Sequence, residues 1–420
     1  MELRRVVVTG LGAITPLGNS VTETWDNLLK GTSGSKPVTL FDASNCKTQF
    51  ACEVKNFDPT QYFDRKEIRK VDRFTHLAVG AATESLADSG LNLETENLDK
   101  IGVAWGNGIG GIKSFEDELR TYYTQEGENN TPRFNPFFTT RMISNLAPGY
   151  ISIKFGLRGP NFATVTACAS STNAIIDAFY YIKLNKADVM VAGGSEACVC
   201  TTGMAAFNAM FALSTRNDTP ETASRPFSKS RDGFVIGEGA ACLILEEYEH
   251  AKARGAKIYA EIVGAGLNAD AYHITAPHPE GIGATTVMKS ALEEAEMQPE
   301  DVDYINLHGT STPLGDIAEV KAIKNVFGEH AYKMNLSSTK SMTGHLLGAA
   351  GALEAMVSVL AVKNDIIPPT INFTEGDEDP EIDYKLNFTF GKAQQRTVRA
   401  ALSNNFGFGG HNASVIFKKV

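Results

Sequence analysis

The sequence predicts an α/β fold in which largely parallel sheets are covered by helices on both faces. Three observations point there. Apolar, β-rich runs alternate with stretches of helical periodicity along the whole chain. With 420 residues, 43% hydrophobic and 21% charged, the chain can bury a large core. No Pro/Ser-rich linker or charge block divides it, although a chain of this length ordinarily forms roughly two or three domains.

Taken in order, residues 6–8 are a strand of three valines, and residues 73–89 carry the first long helical pattern. Strands follow at 101–105 and 163–166, then a helix at 172–184 and strands at 189–192 and 241–245. After Lys257 the alternation resumes with a strand at 258–266, a helix at 285–295, and strands at 304–307, 335–338 and 400–403. The most apolar stretch, 346–362, is interrupted by Glu354 and falls short of the ~20 residues of a membrane span, so it reads as a buried core helix. The N-terminal apolar run ends at Val8, too short for a signal peptide, and no export is expected.

The six cysteines are scattered, and no His stands at ligand spacing from the nearest pair, Cys198 and Cys200, so a zinc site is not expected. Such cysteines suit a reducing, cytoplasmic setting. A net charge of −10 argues against nucleic acid as a partner. Gly106-Asn-Gly-Ile-Gly-Gly111 fits the dinucleotide fingerprint G-x-G-x-x-G. It follows the second strand rather than the first, however, and Glu126 and Glu128 reach the ribose-binding spacing only within a generally acidic polar stretch.

Chemistry is suggested first at Cys168, which stands where a β-rich run meets an amphipathic helical pattern. A helix N-terminus lowers a thiol's pKa from about 8.5, and its free N–H groups can hold an oxyanion. Ala167 and Ala169 leave room for a bulky acyl group. A buried structural cysteine is the competing reading of this segment alone. Two histidine motifs shift the balance. His308 follows a strand-like run and precedes a Gly, hydroxyl residues and Asp316, and His345 opens a small-residue helix five positions after Lys340.

Thr166-Ala-Cys168-Ala-Ser, Asn306-Leu-His308-Gly-Thr-Ser-Thr-Pro-Leu-Gly-Asp316, Ser337-Ser-Thr-Lys340-Ser-Met-Thr-Gly-His345 and Asn405-Phe-Gly-Phe408-Gly-Gly resemble the four signatures of the β-ketoacyl-acyl-carrier-protein synthases, the elongating condensing enzymes, and are similar to their type II members. The resemblance covers essentially the whole chain. It implies a thiolase-like fold, a five-layer α/β/α/β/α sandwich of two related halves, 1–257 carrying the nucleophilic Cys and 258–420 carrying both His. It further implies decarboxylative condensation without metal or organic cofactor. Cys168 takes the acyl chain, and the amides of Cys168 and Phe408 form the oxyanion hole. His308 and His345 hold the enolate of a malonyl thioester, and Lys340 sets polarity around His345. Phe408, among glycines, is the expected gate.

Three residues are expected at the acyl pocket on the same basis: Ile109 at its floor, where type I enzymes have Gly, with Phe207 and Phe138 lining it, the latter across a homodimer. His411 stands where many members have Thr. An acidic carrier protein would be repelled by this acidic chain without a local basic patch, and Lys66, Arg69, Lys70 and Arg73 supply one at helical spacing. A thiolase would need a second catalytic Cys, and none follows Cys242. Initiating enzymes have Asn where His345 stands, and chain-length subunits lack the cysteine. Between fatty-acid elongation and a type II polyketide or aryl-polyene pathway these motifs do not choose.

Overall fold

A computed structural model of the chain describes residues 3–125 and 133–420; Glu126 and Glu128 lie outside the described residues. Ten strands build one continuous sheet. They are β1 (Val6–Ile14), β2 (Ile101–Gly106), β3 (Asn161–Thr164), β4 (Val189–Glu196), β5 (Gly239–Glu247), β6 (Ala260–Ala269), β7 (Tyr304–Asn306), β8 (Asn335–Ser337), β9 (Ala400–Gly407) and β10 (His411–Lys418). Their spatial order is β8-β7-β9-β10-β6-β1-β5-β4-β2-β3.

The same arrangement of five strands occurs twice. In the first half β2 lies parallel to both β3 and β4, and β5 runs antiparallel to β4 and β1. In the second, β7 lies parallel to both β8 and β9, and β10 runs antiparallel to β9 and β6. The halves meet where Val6, Val7 and Val8 pair with Ile262, Glu261 and Ala260. The expected strands are present, with β1 running on to Ile14 and β10 unforeseen. The expectation of a largely parallel sheet is corrected: the middle of the sheet is antiparallel, because hairpin-like returns such as that from Gly407 to His411 need no helical crossover.

Three apolar clusters separate five layers. Helix α1 (Arg73–Ser89) packs Phe74, Leu77 and Ala78 on Val103, Trp105, Val191 and Ile244 of the first five strands. Helix α3 (Ile282–Glu294) packs Val287, Met288 and Leu292 on Ile305 and Ile416 of the second five. Between the two five-stranded halves of the sheet lie α2 (Ser170–Lys183) and α4 (Ala350–Asn364), whose Ile175, Phe179, Leu353 and Val357 share one cluster with Leu243, Leu245 and Val415. Alternation along β5 shows the sorting: Leu243 and Leu245 face the middle, Cys242 and Ile244 the outer helix. The apolar helix expected at 346–362 is this central α4, preceded by a 3₁₀ turn Leu347–Ala349. Residues 347–364 form a helical segment long and apolar enough to span a membrane, but 89% of it is buried inside the protein. Because α2 and α4 both start in the middle layer, the loops at their N-termini converge. That convergence creates the site.

Candidate active site

Cys168 is held at the start of α2 by a tight reversal of the chain. After β3 ends at Thr164, Ala167 takes φ +50 and Ala167–Ala169 form a 3₁₀ turn. A positive φ is uncommon outside Gly and persists only where surroundings enforce it. Here Ser170 Oγ donates to Ala167 O (2.6 Å) and accepts from Thr166 N (2.9 Å), closing the turn with its own side chain. The Cys168 side chain reaches a cavity of about 500 Å³, within the range of small-molecule sites.

The second half supplies the opposite wall. His308 follows β7, and its backbone N–H and that of Gly309 donate to the two carboxylate oxygens of Glu319 (2.9 and 2.8 Å), fixing the strand-to-loop junction. His345 is fixed by its own backbone, N–H to Val235 O (2.7 Å) and C=O from Gly237 N (2.9 Å). The two imidazoles meet edge to face, centroids 5.4 Å apart at 85°, and Phe234 and Phe406 close around them at 5.2 and 5.6 Å. Both rings line the cavity with Cys168. Burial, reinforced by the nearby Lys340 ammonium, holds both imidazoles well below the usual histidine range, so they are neutral at physiological pH.

Lys340 lies behind the cavity, not in its lining. Its Nζ pairs with the buried Glu354 of α4, whose other oxygen accepts from Asn405 Nδ2 (2.7 Å). Asn405 Oδ1 in turn accepts from Thr172 Oγ1 of α2 (2.5 Å). A buried chain of contacts therefore ties the helix of Cys168 to the strand that leads to Phe408. Burial pushes the Cys168 thiol up, to about 12, outweighing the nearby Lys340 charge and Phe408 amide, which pull the other way. The net direction is thus opposite to the lowering expected of a helix start alone, and at neutral pH the sulfur is a thiol. Glu319 also lines the cavity, its carboxyl pushed up to about 7 by burial.

Two family models match the chain: the β-ketoacyl synthase N-terminal domain over residues 3–251 and its C-terminal domain over 259–374. The chain belongs to the β-ketoacyl synthase family. Relatives named 3-oxoacyl-[acyl-carrier-protein] synthase 2 match over nearly their full length. That of Coxiella burnetii is 50% identical over 420 residues, covering 100% of both chains. That of Synechocystis is 51% identical over 419 residues, covering 100% of this chain and 99% of the other. Among solved structures, a ketosynthase in complex with its type II polyketide acyl-carrier protein and bound to the hexaketide superposes with a TM-score of 0.91 at 33% identity over 100% of both chains. A β-ketoacyl synthase from Burkholderia phymatum gives 0.89 at 37% identity over 99% of this chain and 100% of that one. The thiolase-like ketosynthase fold is thereby established for this chain.

Within this synthase fold the sequence-selected residues separate into two groups. Cys168, His308, His345, Phe408 and Phe207 line one cavity, with Lys340 directly behind it. Ile109 and Phe138 do not line it in the single chain: Ile109 is 40% exposed on its loop, and Phe138 stacks with Phe115 and Phe134 at centroid distances of 6.0 and 5.4 Å. His411 begins β10 at an exposed position and is also absent from the lining. The basic stretch forms only a short capped helix, Arg65–Ile68, leaving Lys66 and Arg69 exposed and Lys70 half-buried. Arg73 is corrected out of this patch. A second helix starts there, and its guanidinium turns inward to Glu238 with bonds of 2.8 and 2.6 Å. Sequence reasoning missed Glu319, Glu354 and Asn405 as site residues. What the three share is a polar side chain that the fold buries completely.

Proposed function

We propose that the chain is an elongating β-ketoacyl-[acyl-carrier-protein] synthase that condenses malonyl-carrier with an acyl chain held on Cys168. The observation that carries this reading is one thiol and two neutral imidazoles from opposite halves lining one cavity. Cys168 Sγ attacks the acyl thioester carbonyl, the carrier's sulfur leaves, and the thiol proton ends on that sulfur. The amides of Cys168 and Phe408 are the proposed oxyanion donors; losing one such donor typically costs about 10²–10³ in rate. Phe408, between Gly407 and the glycines at 409 and 410, is also the proposed gate, since residues of such φ freedom can move the ring.

In the second half-reaction a malonyl thioester loses carbon dioxide, and its C–C bonding electrons become an enolate. Among the described residues no group meets the buried Nδ1 of either imidazole, so the single proton of each neutral ring is placed on Nε2, where it can donate to the enolate oxygen. The enolate carbon then attacks the acyl carbonyl on Cys168, forming the new C–C bond and releasing the thiolate. Relatives of about 50% identity named as synthases 2 favour fatty-acid elongation over the polyketide alternative, whose structural neighbour stands at 33%. Ile109 and Phe138 are proposed to meet the acyl tail once two copies assemble. The open edge of β3 and the 57% exposed Val165 after it support pairing with a second copy. Lys66, Arg69 and Lys70 are proposed to receive the carrier, and a cytoplasmic location fits the six free cysteines. Incubation with labelled acyl-carrier and malonyl-carrier tests the assignment: a β-ketoacyl product and an acyl group on the Cys168 peptide are expected, and an acyl group found elsewhere or no product would refute it.

A further inference from the structure

Glu196, the last residue of β4, is fully buried yet does not line the cavity. Its Oε2 accepts the backbone N–H groups of Gly108 (2.8 Å) and Gly348 (3.0 Å). Its Oε1 accepts Ile109 N–H (3.4 Å) and Asn107 Nδ2 (3.3 Å), and the Cys198 thiol approaches the same oxygen at 3.4 Å. No cation pairs with it among the described residues. Burial pushes its carboxyl up to about 7 against these hydrogen bonds, and a carboxyl so buried without a cation is costly unless the bonds are needed where they are.

What those bonds join is informative. Gly108 and Ile109 belong to the loop after β2 in the first half, and Gly348 to the turn before α4 in the second. The two backbones almost touch. A Cβ on Gly348 would lie 2.2 Å from Gly108 N, and one on Gly108 would lie 2.7 Å from Glu196 Oε2. The neighbour Leu347, at φ +49, lines the cavity two residues after His345. One carboxylate thus spans from the loop of Ile109 to the turn beside His345.

We propose that Glu196 is a positioning residue for acyl-chain length, clamping the Gly108–Ile109 loop to the Gly348 turn and so fixing the wall that the acyl tail meets. This rests on the condensing activity proposed above and on Ile109 facing the tail. Loosening the clamp lets the loop yield, which relieves the clash of long tails and does little for short ones.

The test is kcat/KM of the full-length protein over a series of saturated acyl-carrier primers, for wild type, Glu196→Gln and Gly108→Ala. Gln keeps the shape but turns one acceptor into a donor facing donors, and Ala pushes directly on Oε2. Since one buried hydrogen bond is worth up to about tenfold in an equilibrium, both variants should raise the long-to-short ratio by about that factor. A ratio equal to wild type, or a loss by one factor at every length, overturns the inference and leaves Glu196 a purely structural residue. If Glu196→Gln does not fold, Gly108→Ala carries the same comparison. A wild-type protein that condenses no primer refutes the proposed function instead.

Discussion

The first half reaches α2 through Ala167 at φ +50 and puts Cys168 in the turn; the second reaches α4 through Leu347 at φ +49 and puts Gly348 there. Strand order, pairing sense and the strained residue before the helix all repeat, and the chemistry does not. The reason is local. At 168 the side chain reaches a cavity, whereas at 348 a Cβ would run into the backbone of Gly108. A repeated fold therefore offers two helix starts, and packing leaves room for a side chain, that of the proposed nucleophile, at only one. The other half contributes the imidazoles instead, from the loops after β7 and β8.

The largest effect should come from erasing what distinguishes the first turn. Cys168→Ala, which adds no bulk, should lower condensation at least about 10⁴-fold in a steady-state assay while leaving the thermal transition near wild type. An alanine variant that elongates primers at near wild-type rate would remove the distinction between the turns. Gly348→Ala probes the other side. A methyl forced against the Gly108 backbone should cost about 1–3 kcal/mol of stability in denaturant unfolding. A neutral substitution would mean that steric exclusion does not explain the glycine.

Lys340 serves both halves, so it sharpens the comparison. Lys340→Met leaves Glu354 buried without its partner, which should cost about 3–5 kcal/mol, and Glu354→Gln added to it should recover part of that loss. The pH profile gives a separate readout. Both imidazoles have pKa values below the ordinary histidine range, so they stay neutral as pH falls past 6.5, and the acid limb of malonyl decarboxylation should lie below that value in the wild type. Removing the Lys340 charge lets both pKa values rise, so the limb should move to higher pH. An unmoved limb would show that burial alone holds the rings neutral.

How much of this was legible in the sequence follows from how far each interaction reaches along the chain. The four motifs exposed Cys168, His308, Lys340, His345 and Phe408, because each motif is a strand end or helix start that carries its own turn residues. The repeat was visible only through the family resemblance, because its two copies share topology and backbone conformation rather than residues. Glu354 read only as an interruption of an apolar helix: its partner Lys340 is 14 positions away, and Asn405 is 51. Arg73 fits a helical basic stripe by spacing, but Asp72 caps a new helix there, which turns the guanidinium inward to Glu238. Ile109 and Phe138 could not be placed by motif alone, since the single chain leaves both outside the cavity.

The smallest effect concerns the first half's outer surface rather than its chemistry. Reversing the exposed Lys66 and Arg69 together to Glu should raise KM for carrier-linked primers roughly fivefold or more, with acyl-pantetheine mimics little changed, because only the carrier brings an acidic protein surface. Equal effects on both substrates would make the patch an ordinary solvated face.

The division of labour between the halves is tested most directly by carbon dioxide release from malonyl-carrier in Cys168→Gln. The glutamine amide can occupy the oxyanion hole as an acylated thiol would, while His308 and His345 remain intact. Steady release of carbon dioxide with no condensed product is expected. A folded variant that releases none would contradict the claim that the second half's histidines carry decarboxylation independently of the first half's thiol.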